Sequence, residues 1–559
     1  MRKLNIRNLM LYTLLGAAIS VATVDACAEG TGGSEPASNS PTSTPSKGGA
    51  GKAELRTSAM MAEDGKFMSP SLINEETPFM PTDENYWFDR ADVNAQSAAT
   101  LKAGQNNFSG LTKPTAPRIA GPLAPPVIKT LNFEGVSQSG SYPPDTHGAV
   151  GPSHVVEVVN TRVVVYNKAG TLLKNTALNS FFGSTEFLFD PRVVYDQTWN
   201  RWVIIATRRT TSTTDPVLKF FLAVSTTDDP AGNYYVYSNL QYGGGPFNAG
   251  DWFDYPALGM DQDAVLVTSN VFDVPAGGFK FAFMTPIAKA RIYNGLGFSV
   301  PAFTGLASTL QPPIVFDQNN SAYFVAANNG TGLHLYRGQN LSNPSQASLV
   351  LQSIVPVTAY SIPPSAPQLG TTQKIDTLDK RFVNASTQVS DSLWNVHTIK
   401  LGIFAAPKFY QIDTEGTGAN TLKQSGFFFE GGTSFDFNAS IAANASGEAF
   451  VTWNSTDVSN ATVANRHNAR IRISGRQAAD TLGVIPAGST VVTSGVALTG
   501  NLSSTAGIQR WGDYSAVSLD PTPGTTAGCS ANRRAWIINE KINAASTWGS
   551  RIARIGFCD

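Results

Sequence analysis

The sequence predicts an all-β fold, a seven-bladed β-propeller, on three observations. One phrase recurs seven times, a polar start, a short apolar run, a turn and a longer apolar run, starting at residues 145, 190, 254, 311, 379, 436 and 512, on average about 61 residues apart. The apolar runs between 127 and 559 have strand length and are rich in Val, Ile, Tyr, Phe and Thr, and none keeps a 3.6-residue period over two turns. The 50 glycines and 33 prolines fall mostly between those runs, where turns need them. Strand-only repeats of this size arrange radially, because each small sheet has two apolar faces and needs a neighbour on both. A six-bladed ring is the alternative; it requires one phrase to be accidental, and the weakest are 311–329, without a leading Asp, and 379–399.

The chain opens on an export signal, residues 1–28. Arg2, Lys3 and Arg7 precede a 16-residue apolar run from Leu9 to Val24, too short for a comfortable membrane span, and Ala26-Cys27-Ala28 supplies small residues for cleavage before Glu29. The rival reading is a lipoprotein signal ending before Cys27, which would then carry a lipid anchor. Either way the mature chain is expected to be secreted or held at the cell surface, periplasm or outer membrane included, with no transmembrane segment. Residues 29–126 are read as a low-complexity tether and a prosegment or strap: 29–58 are Gly, Ser, Thr and Pro with almost no apolar content, and 114–126 (PTAPRIAGPLAPP) is extended linker.

The propeller occupies 127–559. Its phrases read DTHGAVGPSHVVEVVNT (145–161), DPRVVYDQTWNRWVIIATR (190–208), DYPALGMDQDAVLVTSNVF (254–272), QPPIVFDQNNSAYFVAANN (311–329), DKRFVNASTQVSDSLWNVHTI (379–399), DFNASIAANASGEAFVTWNST (436–456) and GDYSAVSLDP with RRAWIINEK (512–521 and 533–541). Hydrophobic residues make up 42% and charged residues 14%, so core is ample and solvated helix faces are few. The net charge of −1 leaves no basic face for nucleic acid. Cys529 and Cys558 remain as an even pair in an exported chain and bracket the last two strands, which predicts a disulfide.

Most phrases begin with an acid: Asp145, Asp190, Asp254, Asp379, Asp436 and Asp513, with Gln311 breaking the rule. Blades are related by rotation about one axis, so matching positions form a ring at one mouth of the channel. Carboxylates so gathered raise one another's pKa unless cations intervene. Arg192, Arg381 and Arg510 stand two or three residues from such acids, and His147 takes the same place after Asp145. Guanidinium groups grip carboxylates in pairs of hydrogen bonds, so the mouth is a candidate anionic-ligand site. Tyr255, Trp511 and Tyr514 are placed to stack on a sugar. The plain alternative is that each Asp bonds the backbone of its own turn and serves packing alone. No cofactor motif occurs; calcium is the cation that oxygen-rich phrase starts would suit, without EF-hand spacing. The five histidines have no zinc spacing, and phosphate-loop and G-x-S-x-G motifs are missing.

PPDTHGAVGPSHVVEVVN (143–160), DPRVVYD (190–196), RWGDYSAVSLDP (510–521) and TWGSRIARIGFC (547–558) resemble a group of secreted bacterial propellers of the broad sialidase-like class. The resemblance covers about 127–559 and implies fold, export and the late cysteine pair, with no shared activity. True sialidases use an arginine triad, a Tyr–Glu nucleophile pair and an acid/base Asp. By that resemblance Arg192, Arg381 and Arg510 would stand for the triad and Tyr514 or Tyr255 for the nucleophile. The Asp-box turns of sialidases have no match; the nearest string, AASTWGS (544–550), lacks both its Asp and its Gly.

The sequence therefore points to a propeller that binds an extracellular glycan or polysaccharide, acidic by preference, and cleaves it if Asp145, Asp254 or Asp513 acts as acid with Tyr514 or a second acid attacking, or if His147 abstracts a proton in a lyase. Asp190, Asp379 and Asp436 join the arginines as ligand-binding candidates. The alternative is a non-catalytic adhesion or scaffold module.

Overall fold

The computed structural model describes residues 46–51, 53–56, 113 and, apart from a few short loops, 127–559. Residues 1–28, read as an export signal, and most of the 29–126 segment lie outside the described residues.

Among the described residues, seven successive antiparallel meanders follow the seven phrases. The first runs His147–Val150, His154–Val159, Arg162–Asn167 and Leu172–Ala177. The second is Leu188–Asp196, Arg201–Arg208, Leu218–Ser225 and Tyr234–Tyr242. The third is Trp252–Met260, Ala264–Phe272, Phe279–Ala288 and Phe298–Leu306. The fourth has three strands, Ala322–Ala327, Gly332–Gln339 and Ser348–Pro356, plus a single bridge from Gln311 to Val325. The fifth is Ser386–Val389, Ser392–Leu401, Phe404–Asp413 and Leu422–Phe427, and the sixth Phe435–Ala443, Ala449–Asp457, His467–Arg476 and Ser489–Thr493. The seventh, Ala516–Leu519, Arg534–Ala544 and Thr547–Gly556, takes its outer strand from the other end of the chain, Ile128–Ser137.

The core explains why the sheets close on themselves. Buried apolar clusters join the first meander to the second around Trp202, the second to the third around Phe253, and the third to the fourth around Phe324. Others join the fourth to the fifth, the fifth to the sixth, and the sixth to the seventh. A last cluster, with Trp536, Trp548, Val155 and Val164, joins the seventh back to the first. Each sheet is thereby apolar on both faces, as a propeller blade must be, and the protein is an all-β propeller.

The first strands of the first, second, third and sixth meanders share a kink. Asp190, Tyr255 and Asn438 have φ near +50°, and each lies within a two-residue bulge against the second strand. Asp145 has the same φ just before its strand. Asp and Asn tolerate this left-handed conformation; a tyrosine in it is strained. Asn160, Asn270 and Asn454 stand opposite kinked segments and, like Glu540 of the seventh meander, hold neighbouring backbone: Asn160 accepts from the Asp190 N–H, Asn270 from the Thr309 N–H and Glu540 from the Gly512 N–H. A Cβ on Gly512 would stand 2.7 Å from the Glu540 carboxylate, so glycine permits that approach.

Two short strands are described within the segment read as a tether. Ser46–Gly51 pairs with Phe298–Leu306 and Tyr234–Tyr242, and Glu54–Arg56 with Tyr234–Tyr242, along the outer strands of the second and third meanders. Cys529 and Cys558 form the expected disulfide. Among the described residues no helix is long and apolar enough to cross a membrane.

Candidate functional site

Four of the phrase-leading acids converge. The Asp513 N–H donates to Asp145 Oδ1 at 2.8 Å, which ties the seventh meander to the first, and Asn160 Nδ2 donates to Asp145 Oδ2. The Tyr514 hydroxyl donates to Asp190 Oδ2 at 2.6 Å, which ties the seventh to the second. Asp254 lies close enough to Asp190 for its charge to act there, and Asp513 acts on Asp145, Asp190 and Asp254 alike. Glu540, which the sequence reading missed, joins them through Gly512 and faces Asp145 and Asp513.

The arginines are used within this network. Arg510 grips Asp513 with two hydrogen bonds of 2.7 Å. Arg192 lies 3.2 Å from the centre of the Tyr514 ring and donates to the Pro256 carbonyl, the Val383 carbonyl and Asn384 Oδ1, so one side chain spans from the second meander to the third and fifth. Arg381 holds Asp379 at 2.6 Å, lies over the Tyr255 ring at 4.6 Å and lowers the pKa of Asp254 by its charge. Tyr255 and Tyr514 meet edge to face, and Leu378 and Val383 pack over both.

Burial dominates the electrostatics. It pushes Asp190 and Asp254 up to about 7, with the neighbouring carboxylates adding to the shift, and Asp145 and Glu540 well above the usual range. Tyr514 is pushed up by burial and by Asp190. Asp190, Asp254 and Asp513 are at most 1% exposed, so the cluster is a closed knot at the axis rather than an open mouth. Among the described residues, Asp190 Oδ1 and Glu540 Oε1 have no hydrogen-bond partner.

Other candidates go elsewhere. Asp436 does not face the axis cluster: its carboxylate accepts from Trp453 Nε1, Ser434 Oγ and Lys113 Nζ. Trp511 is enclosed, donating to Asn454 Oδ1 and meeting Phe437 edge to face, so a sugar face does not reach it. Tyr255 is enclosed likewise. His147 lines a narrow channel space of ≈ 50 Å³ with Ala516, Ser440 and Thr387, and burial and Arg192 hold its pKa well below the usual value, so the ring is neutral. Gln311 donates to the Thr309 and Phe382 carbonyls, filling the place of the missing acid. Among the described residues, the carboxylates close enough to share a cation are Asp391, Asp413 and Glu415 on outer turns, beside Lys423.

One accessible feature adjoins the knot, and the sequence reading missed it. Ring contacts run from Phe187 to Phe189, Trp252, Phe272 and Phe279; the two end rings are 40% and 42% exposed, and the three between them are buried. The Arg209 guanidinium lies 4.9 Å over Trp252, and its charge acts on Asp254. The aromatic residues of this strip fall at the ends of strands in four different segments, so no single motif announces it.

No protein-family model and no curated protein matches the sequence. Among solved structures, similar ones include a protein of unknown function from Dyadobacter fermentans, 11% identical over 77% of this chain and 99% of that one, with a TM-score of 0.34. A mutant Trypanosoma rangeli sialidase displaying trans-sialidase activity is 10% identical over 71% and 57%, with a TM-score of 0.31. An exo-β-1,3-galactanase from Clostridium thermocellum is 8% identical over 63% and 86%, with a TM-score of 0.30. At such values the likenesses carry no argument about the site.

Proposed function

We propose that the protein is an exported glycan-binding propeller, which takes an acidic polysaccharide on the exposed rings of Phe187 and Phe279, the ends of the aromatic strip beside the axial acids. The observation that carries this reading is the continuity from the exposed rings of Phe187 and Phe279, through Trp252 and Arg209, to Asp254. The C–H face of a sugar stacks on an aromatic ring, and a guanidinium beside it holds a uronate or sialate carboxylate. Binding is favoured over cleavage because the acids lie behind Leu378 and Val383, out of reach of a glycosidic oxygen. A glycan module of this kind serves adhesion or scaffolding at the cell surface.

A second reading, hydrolysis, draws on the Tyr514–Asp190 contact of 2.6 Å and on carboxyls near 7, which suit a nucleophile–acid pair if the cover opens. The test is a screen of the purified protein against a glycan array and polysaccharide panel, reading binding and new reducing or unsaturated ends together. Binding without product is expected, weakened at least tenfold by Arg209→Ala and by Phe279→Ala at unchanged Tm. Product that disappears in Tyr514→Phe establishes the second reading. Binding untouched by Arg209→Ala removes the strip from consideration.

A further inference from the structure

Far from the axial acids in sequence, and apart from them in the fold, one lysine is buried in a socket made for it. Lys113 comes from the N-terminal segment and is 3% exposed. Its ammonium lies 2.5 Å from Asp436 Oδ2 and 3.3 Å from Ser434 Oγ, 4.3 Å over the Phe429 ring and 5.7 Å from that of Phe404. Its N–H donates to the Gly432 carbonyl. Burial alone lowers the pKa of Lys113, and the charges of Asp436, Asp457 and Glu430 oppose that shift.

The socket is organised without help from its occupant. Asp436 Oδ1 accepts from Trp453 Nε1 at 2.8 Å and from the Glu430 N–H at 3.0 Å, while Oδ2 accepts from Ser434 Oγ at 2.6 Å. Asp457 is fixed by Thr433, and Glu430 by His467 and Arg470. A carboxylate fixed by three donors, with two ring faces beside it, is an arrangement that recognises a compact cation. The two oxygen acceptors suit the three rotating donors of an ammonium; a guanidinium would leave most of its five donors unpaired in the same space.

We propose that this pocket of the sixth meander is a primary-ammonium recognition site, filled within the chain by Lys113 and able to take a primary alkylammonium, such as the lysine side chain of another polypeptide, once Lys113 is withdrawn. Filled by Lys113, it ties that residue to the sixth meander. It is independent of the aromatic strip, so glycan binding and ammonium binding stand or fall separately.

The test uses the full chain carrying Lys113→Ala, titrated with n-butylammonium by calorimetry and by thermal shift. Saturable one-to-one binding with a rise in Tm is expected in the variant and not in the parent protein. n-Butylguanidinium and n-butanol should bind at least tenfold more weakly, and adding Asp436→Asn should abolish binding. Absence of saturable binding in a folded variant, or equal binding by the parent, overturns the proposal. If Lys113→Ala does not fold, acylation of the parent with an amine-selective reagent replaces it. Lys113 should then label at least tenfold more slowly than the exposed Lys400, and Asp436→Asn should close that gap; equal labelling of the two lysines in the parent overturns the proposal.

Discussion

At Asp190 the Tyr514 hydroxyl and the charges of Asp254 and Asp513 meet on one carboxyl that burial has pushed up to about 7. An aspartate in an unfolded chain titrates near about 3.9, so the folded protein keeps a proton that the unfolded chain releases between about pH 4 and 7. Stability from this group is complete below that window and is lost as the pH rises through 7, and Asp254 acts in the same direction. Asp190→Asn keeps a residue tolerant of left-handed backbone and an acceptor for Tyr514. It is expected to raise Tm at pH 8 and to flatten its decline between pH 5 and 8; melts across that range would show an unchanged slope if the assignment is wrong. Arg192→Lys removes the fork that reaches three acceptors at once and should cost about 3 kcal/mol in urea unfolding, since buried carbonyls lose a charged donor. Asp145, Asp190, Asp254 and Asp513 were legible as a group because each leads its phrase, and the first three are the kinked residue or stand beside it. Asp436 stands two residues before its kinked Asn438, and that shift along the strand carries it to Lys113 instead. Glu540 was not legible, because it occupies the second-strand position where other meanders carry asparagine.

Two elements show where pattern reading holds and where it fails. The terminal hairpin was legible from its cysteines: the disulfide closes a loop of sequence separation 29, and Cys529→Ser with Cys558→Ser should lower stability by about 3–4 kcal/mol in the chain-entropy account, read by guanidinium unfolding. The strands at 46–56 were not legible, because pairing along a sheet edge uses backbone N–H and C=O groups that any sequence supplies, glycine included. By pairing there they cover the edges of Tyr234–Tyr242 and Phe298–Leu306. Removing residues 1–57 should therefore leave the fold intact in circular dichroism and raise self-association in light scattering, as exposed strand edges do. A monomeric truncated protein at high concentration would show that the edges need no cover.

Across the whole molecule the all-β character followed from the sequence, because blade-to-blade packing demands apolar residues on both faces of every sheet. The closing strand was less visible: Ile128–Ser137 carries a mixed pattern, exposed at Ile128 and half-buried along most of its length, as an outer strand does. Its pairing with Thr547–Gly556 is the bond that shuts the ring. Deleting 127–138 should replace one cooperative melt by a broadened, lower transition in calorimetry; a single sharp transition at the parent Tm would deny the strand that part.

The same pairing sets an order of events for a chain that emerges amino end first. Ile128–Ser137 is synthesised more than four hundred residues ahead of the strand it must find, so the seventh sheet stays incomplete until Thr547–Gly556 has been made. Contacts so distant along the chain form slowly. Such a protein remains open to proteases meanwhile, and any product stopped short of the 534–556 hairpin lacks the partner with which its first strand locks.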